Sequence, residues 1–268
     1  MIKHQVGDIA YLCFSNLQGQ SNLRHFISTR NGGCSAGKFE SLNLSIKLEP
    51  DSNCPIENRE RLLQAVGLSI DTLTLGSQTH SSNVTIVQRG MEGSGARHFQ
   101  TALPDTDALI TSLPGITIAV LVADCVPLLL FDPVRHVIGA VHAGRMGTLA
   151  EISRKAVETM DRAFASDPAN ILVGIGPSIC AKHYQVSAEA QQQIMESSSA
   201  DHLMRMANGC AHFDLWGANV SQLILAGVDK KNIEVAELCT NEHSDIFFSE
   251  RQDKKPTGRF CAGICMIA

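Results

Sequence analysis

Three side chains in this sequence are of the types that bind metals or attack electrophilic carbon. They are His80 in SQTHSSNV, Cys125 in VADCVPLLLF and His142 in GAVHAGRMG. Two imidazoles and a thiolate suit Zn²⁺, and three protein ligands leave a fourth position for water or substrate, the arrangement of catalytic zinc. The same residues admit a single copper at a His₂Cys site. They also admit a metal-free pair with Cys125 as nucleophile and His142 as base. Forty-four and then sixteen residues separate the three, so spacing alone selects none of these chemistries. The plain alternative is a turn histidine, a core thiol and a hydrogen-bonded strand end.

Two carboxylates and a basic set accompany the trio. Asp124 lies between apolar runs, where a carboxylate is costly unless hydrogen-bonded or beside a cation. It reads as a catalytic acid, as an orienting partner for a ligating histidine, or as an anchor for turn amides. Asp107, in LPDTDALITS, reads first as a strand-start turn and second as a site residue. Arg30 in STRNGGCSAGKF, Asn43 in SLNLS, Arg59 in ENRERL and Arg259 in PTGRF are candidates for substrate or phosphate binding. Guanidinium groups make charge-assisted bonds to phosphate, and a Gly32-Gly33 turn can expose amides to an anion. The pattern is neither a Walker loop nor GxGxxG.

These residues need a scaffold. Apolar runs predict strands at Ala10–Phe14, Arg24–Thr29, Val84–Gln88, Ile116–Ala123, Leu128–Phe131, Val137–His142, Ile171–Ile175, Ile233–Leu238 and Phe260–Ile267. Helices are expected over Pro55–Val66, over Gly147–Phe164, and from an Asp214 N-cap to Gly227. Residues 90–103 carry no periodicity and should be the least ordered stretch. Several strands follow one another without a helix, which disfavours strict βαβ alternation and indicates an α+β fold.

Composition narrows the function. The chain has 268 residues, is 44% hydrophobic and carries a formal charge of −5. That balance, with only 5% aromatic residues, argues against a nucleic-acid partner bound through phosphate neutralisation or base stacking. No signal peptide or membrane-spanning run is visible, so a cytoplasmic protein without membrane partners is expected. The nine cysteines are scattered without a CxxC pair, which speaks for core thiols over a disulfide framework. Ten histidines contain no His-x-His pair of the kind multicopper oxidases use, and the HxE…PCxxC signature of zinc deaminases is also absent.

Taken together, FISTRNGGCSAGKFESLNLS, SQTHSSNV, DTDALITSLPGITIAVLVADCVPLLLFDP, IGAVHAGRMGTL, VGIGPSICAKHYQVS and FFSERQDKKPTGRF resemble the YfiH-like family in order and spacing. That family carries the labels laccase domain and polyphenol oxidase, and is understood as purine nucleoside phosphorylases. The resemblance covers nearly the whole chain. It implies one domain over 1–268, with layered mixed β-sheets flanked by helices in four α/β/β/α layers. It implies a metal, usually zinc, on His80, Cys125 and His142, with Asp124, Cys125 and His142 taking catalytic parts. The implied reaction is phosphorolysis of adenosine, inosine and methylthioadenosine, with adenosine deamination at the same site, in a monomer or homodimer. Two positions depart from the family pattern. Arg145-Met146 stands where Trp-Arg is usual, and Gln252 replaces an arginine after Arg251. Arg145 thus joins the candidate phosphate-binding residues, one position early.

Overall fold

The computed structural model describes residues 1–207, 209–254 and 256–267. In chain order the first strands are β1 (Ile2–Val6), β2 (Ile9–Cys13), β3 (Leu23–Ser28), β4 (Leu73–Leu75), β5 (Val84–Ile86), β6 (Ala108–Thr111) and β7 (Thr117–Val122). Then come β8 (Val126–Asp132), β9 (Val137–Ala143), β10 (Leu172–Ile175), β11 (Leu203–Arg205), β12 (Ala211–Phe213), β13 (Ile233–Val235) and β14 (Phe260–Met266). The helices are α1 (Ser15–Gln18), α2 (Cys54–Ala65), α3 (Arg145–Leu149), α4 (Ile152–Phe164), α5 (Ala188–Met195), α6 (Leu215–Leu225) and α7 (Glu250–Asp253).

Two six-stranded mixed sheets form the centre. The first has the order β1-β2-β3-β14-β7-β4, the second β13-β10-β8-β9-β6-β5. Their central strands are apolar on both faces, and alternation sorts those side chains between two cores. Leu129 and Phe131 of β8 and Ile138 and Ala140 of β9 face the first sheet, where Ile118, Val120 and Phe260 meet them. Leu128, Leu130 and Val141 point the other way and pack under Ile152, Ala156 and Met160 of α4 and Leu223 of α6. On the far side, Leu62 and Leu63 of α2 cover Phe26, Leu73 and Leu75 of the first sheet. The result is the expected α+β architecture of helix, sheet, sheet and helix. Each fully buried aliphatic or aromatic side chain in these layers contributes about 1.5–3 kcal/mol.

All nine expected strands form, most with ends shifted by one or two residues, as frayed ends and turn geometry dictate. The expected Gly147–Phe164 helix is two helices, because Glu151 adopts the left-handed conformation (φ 61°) between α3 and α4. The Asp214 cap is present, its carboxylate accepting from the Gly217 amide at 3.1 Å. Residues 90–103 fold into successive turns with one 3₁₀ turn at Phe99–Thr101. They are tied down by ion pairs from Arg97 to Glu60 and Asp71.

The chain passes from the first sheet to the second between β4 and β5, and again between β7 and β8. His80 lies on the first of these crossings, and Ala123, Asp124 and Cys125 form the second. His142 sits near the end of β9, opposite Pro127 in the β8–β9 register. Two sheet-to-sheet crossings and one strand end therefore meet at a single corner.

Candidate metal centre and substrate cleft

At that corner the ligand atoms of His80, Cys125 and His142 lie within 4.8 Å of one another. The two imidazole rings meet edge to face at 4.9 Å between centroids. His142 is buried, Cys125 half-buried and His80 exposed. The sequence separated these residues widely, and the fold brings all three together.

Asp107 organises the group. Its Oδ1 lies 2.7 Å from His142 Nδ1, which fixes the ring and directs Nε2 towards the thiol. The same carboxylate accepts the backbone amides of Thr79 at 3.1 Å, His80 at 3.2 Å and Ser81 at 2.8 Å, together with the Ser81 hydroxyl at 2.8 Å. These bonds hold His80 in a left-handed conformation (φ 63°) that an L-residue adopts at a cost of about 1–3 kcal/mol. Burial alone would raise the Asp107 pKa, but the His142 ring and the Ser81 donors outweigh it and hold the carboxyl well below its ordinary range. Asp107 is thus both an anchor for the turn amides and the hydrogen-bond partner of the His142 ring.

The thiol and imidazole polarise each other. Burial works against charge on both, yet the imidazoles of His142 and His80 bring the Cys125 thiol down to about 6. Cys125 and Asp107 lift His142 to about 9 despite its burial. Gly144 lets the groups approach. A Cβ there would stand 2.9 Å from His80 Cδ2 and 3.0 Å from Cys125 Sγ. The donor set, the second-layer carboxylate and the close spacing fit a zinc-sized cation.

Two clefts open on the trio. One encloses about 280 Å³ and is lined by His80, Cys125 and His142, by Leu48, Leu75, Phe99 and Leu121, and by Lys47, Arg59 and Arg259. The other, of about 580 Å³, shares His80, Cys125 and Glu250 and adds Arg145, Tyr184 and Arg251. Arg59 is buried and has no carboxylate partner among the described residues. It donates to the carbonyls of Leu44 at 2.8 Å, Gly95 at 2.6 Å and Ala96 at 2.7 Å, and burial lowers its pKa to about 10. Its Nη2 makes no hydrogen bond among the described residues, and the side chain borders the cleft. Arg259 reaches Glu250 at 2.5 Å from the same cleft wall.

The other candidates take different posts. Arg30 lines neither cleft. It donates to Ser244 O at 2.7 Å and Glu40 O at 3.1 Å, pairs with Asp253 at 3.3 Å, and lies over the Phe248 ring. Asn43, fully buried, lines neither cleft and accepts the amides of Ser45 at 3.1 Å and Arg259 at 3.0 Å, so it positions two lining residues. Asp124 borders the wider cleft, with one oxygen accepting from the Thr240 hydroxyl at 2.7 Å and the other from the Arg251 amide at 2.8 Å. Arg145 opens α3 and bonds Gln193 on α5, while Met146 beside it is exposed. Gln252 points to Asn241 at 3.5 Å, outside both clefts.

Sequence reasoning passed over Tyr184 and Glu250, and took Gln78 and Gly144 only as motif neighbours of the two histidines. Gln78 stands out in retrospect, because its amide pairs with both the N–H and the C=O of Leu121 like a strand neighbour, at 2.8 Å each. The SQTH segment offers its histidine as a ligand and its glutamine only as part of a motif. Among the described residues no helix is long and apolar enough to cross a membrane.

The comparisons agree with this picture. Relatives include a purine nucleoside phosphorylase of Bacteroides thetaiotaomicron, 32% identical over 96% of each chain. One of Deinococcus radiodurans is 36% identical over 90% of this chain and 88% of its own. An adenosine deaminase named RL5, from an unknown prokaryote, is 32% identical over 89% of this chain and 92% of its own. The crystal structure of YlmD from Geobacillus stearothermophilus superposes with a TM-score of 0.92 at 30% identity, covering 100% of this chain and 99% of that one. Bacillus licheniformis YfiH gives 0.90 at 30% identity, over 97% of each. Residues 24–267 match the family described as multi-copper polyphenol oxidoreductase laccase, and with YlmD- and YfiH-like neighbours across its length the chain belongs to that family.

Proposed function

We propose that this chain, read as one domain over residues 1–268, is a zinc-dependent purine nucleoside phosphorylase. Its substrates are adenosine, inosine and S-methyl-5'-thioadenosine, and adenosine deamination is a side activity of the same site. The observation that carries the reading is a single cleft that holds both the His80–Cys125–His142 trio and an uncompensated buried guanidinium, Arg59. Phosphorolysis needs an electrophilic centre at one part of a pocket and an anion site at another, and this cleft supplies both. The names of the relatives support the same activity.

In this reading His80, Cys125 and His142 hold the zinc ion, which supplies Lewis-acid polarisation of the bound purine. Asp107 fixes the His142 tautomer and holds the His80 turn. Arg59 and Arg259 bind phosphate, Arg59 as a cation whose burial strengthens its pairing with an anion. Asn43 holds the Arg259 backbone, and Arg30 braces the 30–45 loop from behind. Leu75, Phe99 and Leu121 exclude water from the nucleoside. Asp124, with both carboxylate oxygens engaged, acts by positioning the Arg251 segment. Arg145 and Arg251 line the wider cleft, through which substrate and product pass, in a cytoplasmic enzyme that acts as a monomer or homodimer.

Incubation of the protein with adenosine, with and without phosphate, tests this. Adenine that forms only with phosphate is the expected product, and a smaller amount of inosine in both tubes marks the deaminase activity. Neither product from zinc-loaded protein would refute the proposal. A second reading rests on one observation, the Asp107–His142–Cys125 chain, which has the order of a cysteine-hydrolase triad. A stoichiometric zinc that His80→Ala abolishes would eliminate it.

A further inference from the structure

A second group of soft donors lies about the edge of the wider cleft, and nothing in the proposed reaction uses it. The ligand atoms of Cys180, His183 and Cys239 are within 4.8 Å of one another. His183 Nδ1 is 3.3 Å from Cys180 Sγ, 3.6 Å from Cys239 Sγ and 3.5 Å from a carboxylate oxygen of Glu242. One ring nitrogen cannot serve three such partners through hydrogen bonds, since it carries at most one proton. Around a tetrahedral zinc ion, bonds of about 2.3 Å to sulfur and about 2.0–2.1 Å to nitrogen or oxygen put sulfur and nitrogen about 3.6 Å apart and nitrogen and oxygen about 3.4 Å apart. The sulfur-to-nitrogen separations of 3.3 and 3.6 Å lie at or just inside that value, so the three donors are close enough to share one ion. Glu242 Oε1 also pairs with Lys182 Nζ at 3.3 Å on the surface side of the cluster.

We propose that Cys180, His183 and Cys239 form a second site for a thiophilic d¹⁰ cation, Zn²⁺ first among them, with its fourth position open on the side of Glu242. The local fold serves such a site. Cys180 and His183 share a turn closed by the His183 amide on Cys180 O at 3.0 Å, the short spacing of structural zinc ligands. Cys239 arrives on a neighbouring segment and accepts the Cys180 amide on its sulfur at 3.3 Å. Cys239 is buried and Glu242 stands at the surface, so the ion has an apolar floor and an entry side.

The site ties together segments that shape the wider cleft. Ile179, next to Cys180, donates to Asp124 O at 3.0 Å, and Thr240, next to Cys239, donates to Asp124 Oδ1. The His183 carbonyl accepts from Arg251 at 3.3 Å. An ion at this cluster would cross-link both segments behind Asp124 and Arg251. It does so whatever reaction the first centre performs.

Elemental analysis of the full-length protein, loaded with zinc and freed of excess, tests the proposal. Two zinc ions per chain are expected. His80→Ala should remove one, and the double variant Cys180→Ser/Cys239→Ser should remove the other while leaving adenosine turnover measurable. Should the serine variant fail to fold, His183→Ala, at a half-buried turn position, carries the same expectation. Cobalt substitution adds a direct readout, because sulfur-to-metal charge-transfer absorption should fall by about two thirds in the serine variant and by about one third in Cys125→Ser. A zinc content that the Cys180, Cys239 and His183 changes leave untouched would overturn the site. So would finding seven titratable thiols in the denatured, unreduced protein in place of the nine in the sequence, since two would then be locked in a Cys180–Cys239 disulfide. Loss at His80→Ala alone scores the first centre separately.

Discussion

Replacing Gly144 with alanine adds one methyl group where the two clefts meet, and its effect can be worked out from the structure. The backbone at this position (φ −74°, ψ 176°) is one that alanine adopts freely, so strain comes only from what the Cβ touches. It would meet His80 Cδ2 at 2.9 Å and Cys125 Sγ at 3.0 Å, where ordinary contact begins at 3.4 Å, leaving shortfalls of about 0.5 and 0.4 Å. Metal sites tolerate departures of about 0.2 Å in ligand distance. Both ligands must therefore retreat by about twice that tolerance, or α3 must shift. Disturbances of this kind around a metal centre weaken binding about 10- to 100-fold, and overpacking costs about 1–3 kcal/mol. Competition with a chromophoric chelator measures zinc affinity, and melting with the metal removed isolates the packing cost. A zinc affinity equal to that of the unaltered protein would refute the claim that close packing sets the ligand spacing.

Other perturbations test separate links. Arg59→Lys keeps the charge but loses the fork that reaches Leu44, Gly95 and Ala96, so the KM for phosphate should rise at least about tenfold while deamination persists; equal loss of both activities would contradict an anion-binding role. Asp214→Ala removes the α6 cap and should cost about 1 kcal/mol, or about 2–4 °C in Tm for a chain of this size; a change below about 1 °C would mean the cap is redundant. In metal-free protein the thiolate–imidazolium pair should be the dominant form between about pH 6 and 9. His142, raised from 6.5 to about 9, contributes fully below 6.5 and loses that contribution as pH rises through 9. Cys125, lowered from 9.0 to about 6, contributes fully above 9.0 and loses it as pH falls through 6. Ultraviolet thiolate absorbance in metal-free protein should appear as pH rises through about 6 and be missing from Cys125→Ser, and an onset only near pH 9 would refute the ion pair.

How far the sequence is legible depends on the kind of order in question. Long apolar runs such as those of β7, β8 and β9 announce themselves because both faces are buried. The strands left unread are short or exposed. β4 has three residues, and β1 is a surface edge strand in which only His4 is partly buried. β6, with four residues, borrows its order from pairing with β9, a property its own composition cannot carry. α5 escaped because only Ala190 and Ile194 of its polar sequence are buried. The break at Glu151 is invisible in a run of good helix formers, since it is fixed by how α3 and α4 pack. The trio was named from residue types and family resemblance, whereas the Asp107 network and the role of Gly144 emerge only when distant segments touch. The cluster at Cys180, His183 and Cys239 shows the same limit. Its one local signal is a Cys-x-x-His spacing, and the third donor lies 59 residues away.

His80 and Cys125 occupy crossings between sheets, while His142 is anchored in the second sheet alone. A metal in place would therefore rivet both crossings to the second sheet, so the two layers could part at this corner only after a ligand had let go. Zinc loading should then slow hydrogen exchange at the β4–β5 and β7–β8 connections more than anywhere else in the sheets.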